Sequence, residues 1–289
     1  MNILIWILSA LLWSIWSSFR KKAIDYSTLP TNLFSILWPI MWAFIIWTCA
    51  YIFWVDNTLY TNLTVIFLVL LIVIFETLSN YLEIYVFKNT KLSELLPYQN
   101  TNKLLIVLIW FFLYYWTNNS TSIASFLIIL FTMFLIVFSS IDIRKFKINK
   151  IIWLYLIDKL FSAIAWLLVW YILAKYSTIT YMTVNVIFVF LIYYLITIIR
   201  KDKFNLLLKQ VNSFYPPRLI GLIFWWTSFV IWLYIIESTW LLIATLISFI
   251  WLVFNIISMK FILKDNPSKK QIFLAIIVSI LIWIWYYLK

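Results

Sequence analysis

The chain has 289 residues, of which 66% are hydrophobic and only 11% are charged, and its mean hydropathy is +1.02. Soluble domains carry about 25% charged residues, so this composition excludes a soluble protein and indicates a polytopic helical membrane protein. The net charge of +12 would suggest a nucleic-acid partner in a soluble protein. In a membrane protein basic residues orient the helices, so we expect the lipid bilayer as partner and no nucleic acid.

Histidine is absent from the sequence, and Cys49 is the only cysteine. Histidine-dependent catalysis, disulfides within the chain and clusters of cysteine and histidine around a metal are therefore excluded. The sequence also has no P-loop, no glycine-rich nucleotide loop and no paired aspartate-rich motif for diphosphate. We expect no enzyme activity, no cofactor and no metal.

Ten apolar segments of about 20 residues follow one another along the chain, each long enough to cross a bilayer as a helix. The sequence thus predicts an all-α polytopic membrane protein with ten transmembrane helices. The first segment lacks a basic leader and a small-residue cleavage site, so we expect a retained helix rather than a signal peptide. The ten spans are 3–19, 33–54, 63–87, 92–116, 122–140, 151–173, 179–199, 218–237, 239–262 and 269–288.

The basic residues are distributed very unevenly between the two sides of these predicted helices. Eighteen lysines and arginines lie in the connections that follow odd-numbered spans, whereas the opposite side holds only Lys175 and Lys289. Basic residues are retained in the cytoplasm, so this asymmetry predicts cytoplasmic odd-numbered connections and both termini on the non-cytoplasmic side. We expect a multi-pass protein of the plasma membrane.

A polar, basic segment from Ser139 to Lys150 divides the ten spans into five and five. A unit with an odd number of helices that is duplicated in tandem inserts its second copy upside down, as in many secondary transporters. Two short polar segments, 118–121 and 265–268, precede the fifth and tenth spans in a weak internal match. The sequence predicts two inverted five-helix repeats, residues 1–143 and 144–289.

Three features carry a family resemblance. Trp13 in the first span is followed by Arg20-Lys21-Lys22, and the third span, from Tyr81 onward, runs through a short link into a fourth span that contains Pro97. The third feature is the acidic turn 260–268. In these features the chain resembles the drug/metabolite transporter superfamily, in its ten-helix EamA-like branch. The resemblance implies secondary transport of small metabolites. The single glycine, an aspartate in place of the usual glutamate and the predicted outside termini depart from the family pattern.

Ionisable and amide side chains interrupt the third span, where a charged group is costly in hydrocarbon and usually serves function. Glu76, Asn80 and Glu83 recur at i, i+4 and i+7, so they share one face of a helix. Glu83 is close enough to the predicted end of the span for its side chain to reach the interface. This face is the first half of the candidate site.

The fourth span carries the second half. Gln99, Asn100 and Lys103 share one of its faces, and Lys103 lies as deep as Glu76, roughly 16–18 Å into a hydrocarbon core about 30 Å thick. Two interpretations remain open. Glu76 and Lys103 either form an ion pair that fixes packing, or line a polar site in which Glu76 binds protons or a cation and Lys103 is its counter-ion.

Four further residues are candidates. Asp158 adjoins Lys159 within the sixth span and either faces the site or is satisfied by neighbouring helices. Asn255, in the ninth span, is either a substrate contact or part of an interhelical hydrogen bond. Trp13 and Trp42 are near mid-span, where aromatic rings either bind cationic solutes or simply pack.

From these features we expect a secondary active transporter, an exporter of small metabolites such as amino acids or of amphipathic or cationic solutes, that works by alternating access. Two energy sources remain open, exchange against protons as the coupling ion and exchange against another substrate, and the protein is expected to be a monomer or a homodimer. Two alternatives remain: a lipid-handling membrane protein or enzyme, and a membrane assembly subunit that transports nothing.

Overall fold

The computed structural model describes residues 3–27, 29, 33–36, 43, 46, 62–99, 101–102, 105–106, 108–109, 131, 141–142, 147–201, 224, 227, 231, 251, 253–270, 272–273, 276–277 and 280. This part of the chain is predominantly α-helical. Its helices are α1 (Ile3–Tyr26), α2 (Leu63–Asn89), α3 (Leu92–Leu95, continued by a 3₁₀ turn at Leu96–Tyr98), α4 (Lys150–Leu173), α5 (Thr178–Ile199) and α6 (Val253–Leu263, π-helical over Met259–Leu263). Two short antiparallel strands, β1 (Ile141–Asp142) and β2 (Lys147–Ile148), precede α4.

Three of these helices, α2, α4 and α5, are long and apolar enough to cross a membrane. Their bounds agree with the predicted spans 63–87, 151–173 and 179–199 to within two residues. The prediction of a helical membrane protein is confirmed to this extent. The full set of ten spans, the inverted repeats and the division at residue 143 stay predictions.

Each membrane-spanning helix begins at a polar capping residue. Asn62, Asn149 and Ser177 accept hydrogen bonds from the first backbone amides of α2, α4 and α5. Such side chains satisfy amides that have no partner within the helix, which matters most where no water is available to replace it. The short polar connections of the sequence therefore set where the apolar helices start.

Helices α2 and α4 pack antiparallel along most of their length. Val69 on the first half of α2 shares an apolar core with Val169 on the second half of α4. Near the other end, Ile84 on α2 shares a second core with Leu156 on α4. Helix α5 contributes to both cores, through Val184 and Tyr193, so the three spanning helices form one bundle.

Helix α1 differs from its predicted length. The sequence indicated an end at residue 19, with Arg20 in a connection, but the helix continues to Tyr26. The extension is stabilised because Arg20 finds a carboxylate partner on α2 and Lys21 pairs with Asp25 one turn later. Arg20 is therefore a helix residue that faces the bundle and not a loop residue.

The predicted fourth span, 92–116, also differs at its start. Helix α3 ends at Leu95, a 3₁₀ turn containing Pro97 follows, and Gln99 lies in a turn. Proline at this position interrupts regular hydrogen bonding, which explains the break. Residues 101–102, 105–106 and 108–109 are helical again.

Small residues at four-residue spacing bring α1 close to α6. The Ser18 hydroxyl lies 2.9 Å from the Ser258 hydroxyl, and Ser258 donates to the Ser14 carbonyl oxygen at 3.1 Å. The Ser14 hydroxyl lies 2.8 Å from the Ala10 carbonyl oxygen on its own helix and 3.2 Å from the Trp251 carbonyl oxygen. Ala10 extends the same row by one turn, so the row has the small-xxx-small spacing of close helix pairs. Serine thus does here what glycine does in many membrane proteins.

Three connections meet at one end of the bundle, which we call the loop end (residues 27, 29, 88–93 and 264–268). Lys88 donates to the Leu29 carbonyl at 3.1 Å. Asp265 accepts from the Ser93 amide at 2.9 Å and from the Ser93 hydroxyl at 2.8 Å. The distribution of basic residues predicted that these three connections lie on the same side of the membrane. That this side is the cytoplasm stays a prediction.

Candidate functional site

Glu76 occupies the centre of a membrane-spanning helix. It lies thirteen residues from each end of the 27-residue α2, or about 20 Å at 1.5 Å per residue. The sequence predicts a depth near the middle of the membrane for Glu76, and this depth stays a prediction. A carboxylate at such a depth needs compensation from the protein, because neither water nor lipid head groups are within reach.

The partner of Glu76 is an amide on α5. Asn185 donates through Nδ2 to Glu76 Oε2 at 3.0 Å and to the Tyr181 hydroxyl at 2.9 Å. None of the ion pairs among the described residues includes Glu76. The predicted partner, Lys103, and the neighbouring Asn100 lie outside the described residues. In the described part of the chain, the carboxylate is therefore held by an uncharged donor.

Four ionised side chains form a second group, which we call the charge cluster (Arg20, Glu83, Lys159 and Asp158). Arg20 on α1 pairs with Glu83 on α2, and Lys159 on α4 lies 3.3 Å from the other oxygen of Glu83. The Lys159 ammonium also lies 2.9 Å from Asp158 Oδ2. The charges alternate in sign and sum to zero, and no side chain of the cluster is more than 17% exposed.

Neutral polar groups extend the charge cluster to α5. The Arg20 guanidinium donates to Asn80 Oδ1, and Asn80 Nδ2 donates to the Tyr193 hydroxyl at 2.5 Å and to Ser35 Oγ at 3.2 Å. Asp158, which is fully buried, accepts a hydrogen bond from Ser79 on α2. Buried polar networks of this kind fix the relative positions of their helices.

Aromatic rings enclose both cations of the cluster. The Arg20 guanidinium carbon lies 5.0 Å from the ring centre of Trp16 and 5.9 Å from that of Phe87. The Lys159 ammonium lies 4.4 Å from the ring centre of Tyr155. These distances are those of cation–π contacts.

The two groups are stacked along α2. Glu76 is central, Asn80 follows one turn later, and Glu83 lies six residues, about 9 Å, before the end of the helix at Asn89. The charge cluster therefore lies between Glu76 and the loop end. The prediction that Glu83 reaches out to the interface is wrong, because Arg20 and Lys159 hold its carboxylate between the helices.

Two other predicted site residues, Gln99 and Asn255, contact each other. Gln99 and Asn255 are both buried, and Asn255 Nδ2 donates to Gln99 Oε1 at 2.8 Å. This contact corresponds to the interhelical hydrogen bond that was one of two interpretations of Asn255. Trp13 is half-buried and meets Trp16 edge to face at 5.1 Å, and Trp42 lies outside the described residues.

Sequence reasoning missed Arg20, Asn185 and Tyr193. Arg20 was assigned to a connection because its span was drawn too short. Asn185 carried a usable signal, since it is the only amide side chain between residues 178 and 199. A lone amide in an apolar span is expected to seek a polar partner on another helix.

Within the described residues, no three acidic, cysteine or histidine side chains come together in a way that would hold a metal ion. The sequence matches no protein-family model and no curated protein. The functional conclusion therefore rests on the two polar groups of the bundle.

Proposed function

We propose that this chain is a secondary transporter that exports small metabolites, such as amino acids or amphipathic or cationic solutes, across the plasma membrane by alternating access. The observation that carries the proposal is Glu76, a carboxylate at the centre of a spanning helix with an uncharged hydrogen-bond donor. Ionisable residues within membrane helices typically belong to substrate, ion or proton pathways.

The two glutamates of α2 differ in what their surroundings allow. Glu83 has two cationic neighbours, so removing its charge would leave Arg20 and Lys159 in excess. Glu76 hydrogen-bonds to Asn185, whose amide can serve a carboxylate and a protonated carboxylic acid alike. Glu76 can therefore exchange a proton without disturbing an ion pair, and we assign the coupling proton to it.

The wider architecture belongs to the same proposal. Two inverted five-helix repeats, termini on the non-cytoplasmic side and a relationship to EamA-like drug/metabolite transporters would together supply a pathway at the repeat interface. Antiparallel packing of α2 and α4, one helix from each predicted repeat, supports such an interface. Lys103 would complete the site as the counter-ion of the substrate or of Glu76.

The test is release of solute from liposomes that contain the purified protein. Vesicles are loaded either with radiolabelled amino acids or with ethidium, an amphipathic cation, and are diluted into buffer that sets a pH gradient. We expect the protein to accelerate release of at least one probe, and Glu76→Gln to abolish the dependence on the gradient. Glu94→Gln is the matched control, because Glu94 is exposed near the loop end and its carboxylate accepts from Thr90.

Three outcomes count against the proposal. Release that is the same in Glu76→Gln and in the parent would remove Glu76 from the mechanism. No release of either probe by correctly folded protein would favour an assembly subunit that does not transport. Movement of a fluorescent phospholipid between leaflets, without solute release, would favour a lipid-handling protein.

A further inference from the structure

Arg20 carries an ion pair between two groups of helices, which also share an apolar core that includes Ile24 on α1, Ile84 on α2 and Met259 on α6. On one side, α1 binds α6 through the Ser14, Ser18 and Ser258 contacts. On the other side, α2 and α4 are joined by Ser79–Asp158 and Glu83–Lys159. Among the ion pairs of the described residues, Arg20–Glu83 alone connects the first group to the second.

The composition of the charge cluster allows it to separate between Arg20 and Glu83. If Arg20 separates from Glu83, Lys159 still lies between the carboxylates of Glu83 and Asp158. Arg20 itself keeps the Trp16 ring, which is on its own helix. Both groups of helices thus retain partial compensation for their charges. Separating Glu83 from Lys159 instead would move α2 away from α4, and this would also break the hydrogen bond from Ser79 to Asp158.

The position of Arg20 bears on how water or solute reaches Glu76. Arg20 and its partners Asn80 and Glu83 lie between Glu76 and the loop end, and the rings of Trp16 and Phe87 flank the guanidinium. Water or solute that approaches Glu76 along this face of α2 from the loop end therefore meets Arg20 first.

We propose that Arg20 is a gating residue. Its ion pair with Glu83 and its hydrogen bond to Asn80 close the route from the loop end to Glu76, and the route opens when α1 moves with α6 away from α2 and α4. The gate rests on the proposed transport function for its purpose, but it is a property of the structure that is measurable without any substrate.

The experiment measures how fast a thiol at position 76 reacts. In a Cys49→Ser background, Glu76→Cys is exposed in membrane vesicles to a membrane-impermeant maleimide from each face separately. Lys264→Cys marks the loop end and Lys175→Cys the opposite end, since both lysines are exposed. With Arg20 in place, we expect slow labelling from the loop end.

Replacing Arg20 should then open the route. We expect Arg20→Ala to raise the labelling rate from the loop end at least about tenfold, as a shift toward the open state would. Arg20→Lys should give an intermediate rate, because one ammonium cannot reproduce the two-pronged contact with Glu83 and Asn80. Lys22→Ala is the matched control and should not change the rate, because Lys22 is part of none of the ion pairs found in the described residues.

A second variant tests the same ion pair from its other side. Glu83→Gln removes the other half of the same pair and should also speed labelling, with an unchanged gel-filtration profile as the requirement for both variants. Equal labelling rates in the parent and in Arg20→Ala, or fast labelling in the parent, would overturn the gate. Because labelling needs no solute, a negative transport assay combined with a positive labelling result would refute transport and leave the gate standing.

Discussion

Glu83→Gln is the substitution that most directly tests the described structure. It keeps the size and shape of the side chain and removes the only anion that lies between Arg20 and Lys159. The two cations would then face each other across a neutral amide, in a region where the participating side chains are at most 17% exposed. We expect a large loss of stability from this single change.

The magnitude follows from the remaining contacts. Removing one partner of a buried ion pair costs about 3–5 kcal/mol, because the other charge is left in a poorly solvated place. In this case Arg20 keeps its hydrogen bond to Asn80, and Lys159 keeps Asp158 at 2.9 Å. Since both cations retain a partner, the lower end of the range, about 3 kcal/mol, applies to Glu83→Gln.

The assay is reversible unfolding in mixed micelles with increasing dodecyl sulfate, followed by the fluorescence of the nineteen tryptophans. The single variants Glu83→Gln and Arg20→Gln and the double variant form a cycle with the parent. The double variant should lose about 1–3 kcal/mol less than the sum of the two single losses, since the pair is already broken after the first change. Glu94→Gln should shift stability by no more than about 0.5 kcal/mol, as an exposed substitution does.

A loss below about 0.5 kcal/mol for Glu83→Gln would show that water already compensates these charges. Strict additivity in the cycle would show that Arg20 and Glu83 do not interact. Either result would remove the physical basis of the charge cluster, and with it the gate.

Two further substitutions test contacts outside the cluster. Ser18→Ala should lower the free energy of unfolding by about 0.6 kcal/mol, the mean value for an interhelical hydrogen bond in a membrane. Ser18→Leu should lower it by about 1–3 kcal/mol, because the larger side chain forces α1 away from α6. Equal losses for the two variants in the same unfolding assay would contradict close packing of these helices. Asp265→Ala removes both hydrogen bonds to Ser93 and should lower the free energy of unfolding by about 1 kcal/mol. Trypsin should then cleave faster after the exposed Lys91 and Lys264. Asp265→Asn should keep part of the protection against trypsin. Unchanged cleavage in Asp265→Ala would mean that the two connections hold together without this carboxylate.

Helix positions were predictable where the apolar pattern decides them. The ends of α2, α4 and α5 agree with the sequence to within two residues, because polar capping residues bound long apolar runs there. The depth of Glu76 followed from the same bounds. The end of α1 was not predictable in this way, because a positively charged residue such as Arg20 reads as a connection until its distant partner is known.

Partners were harder to predict than positions. Helical periodicity placed Glu76, Asn80 and Glu83 on one face but gave no information about which helix lies opposite. The sequence directed attention to the next helix along the chain, whereas the structure supplies Asn185, which is 109 residues away. Contacts between helices depend on how the bundle assembles, and a single sequence contains no direct record of it.

The charge cluster also has a consequence for biosynthesis. Arg20 emerges from the ribosome 63 residues before Glu83, and Lys159 follows Glu83 by a further 76. Each charge placed in the membrane before its partner carries a cost of about 2.5–3.5 kcal/mol near a helix centre, and less near an end where a long side chain can reach water. Arg20 thus enters the bilayer unmatched and meets its carboxylate only when α2 follows, and Glu83 gains its second cation when α4 delivers Lys159. Truncated chains that stop before residue 63 should therefore be retained by the insertion machinery or degraded, rather than accumulate as stable fragments.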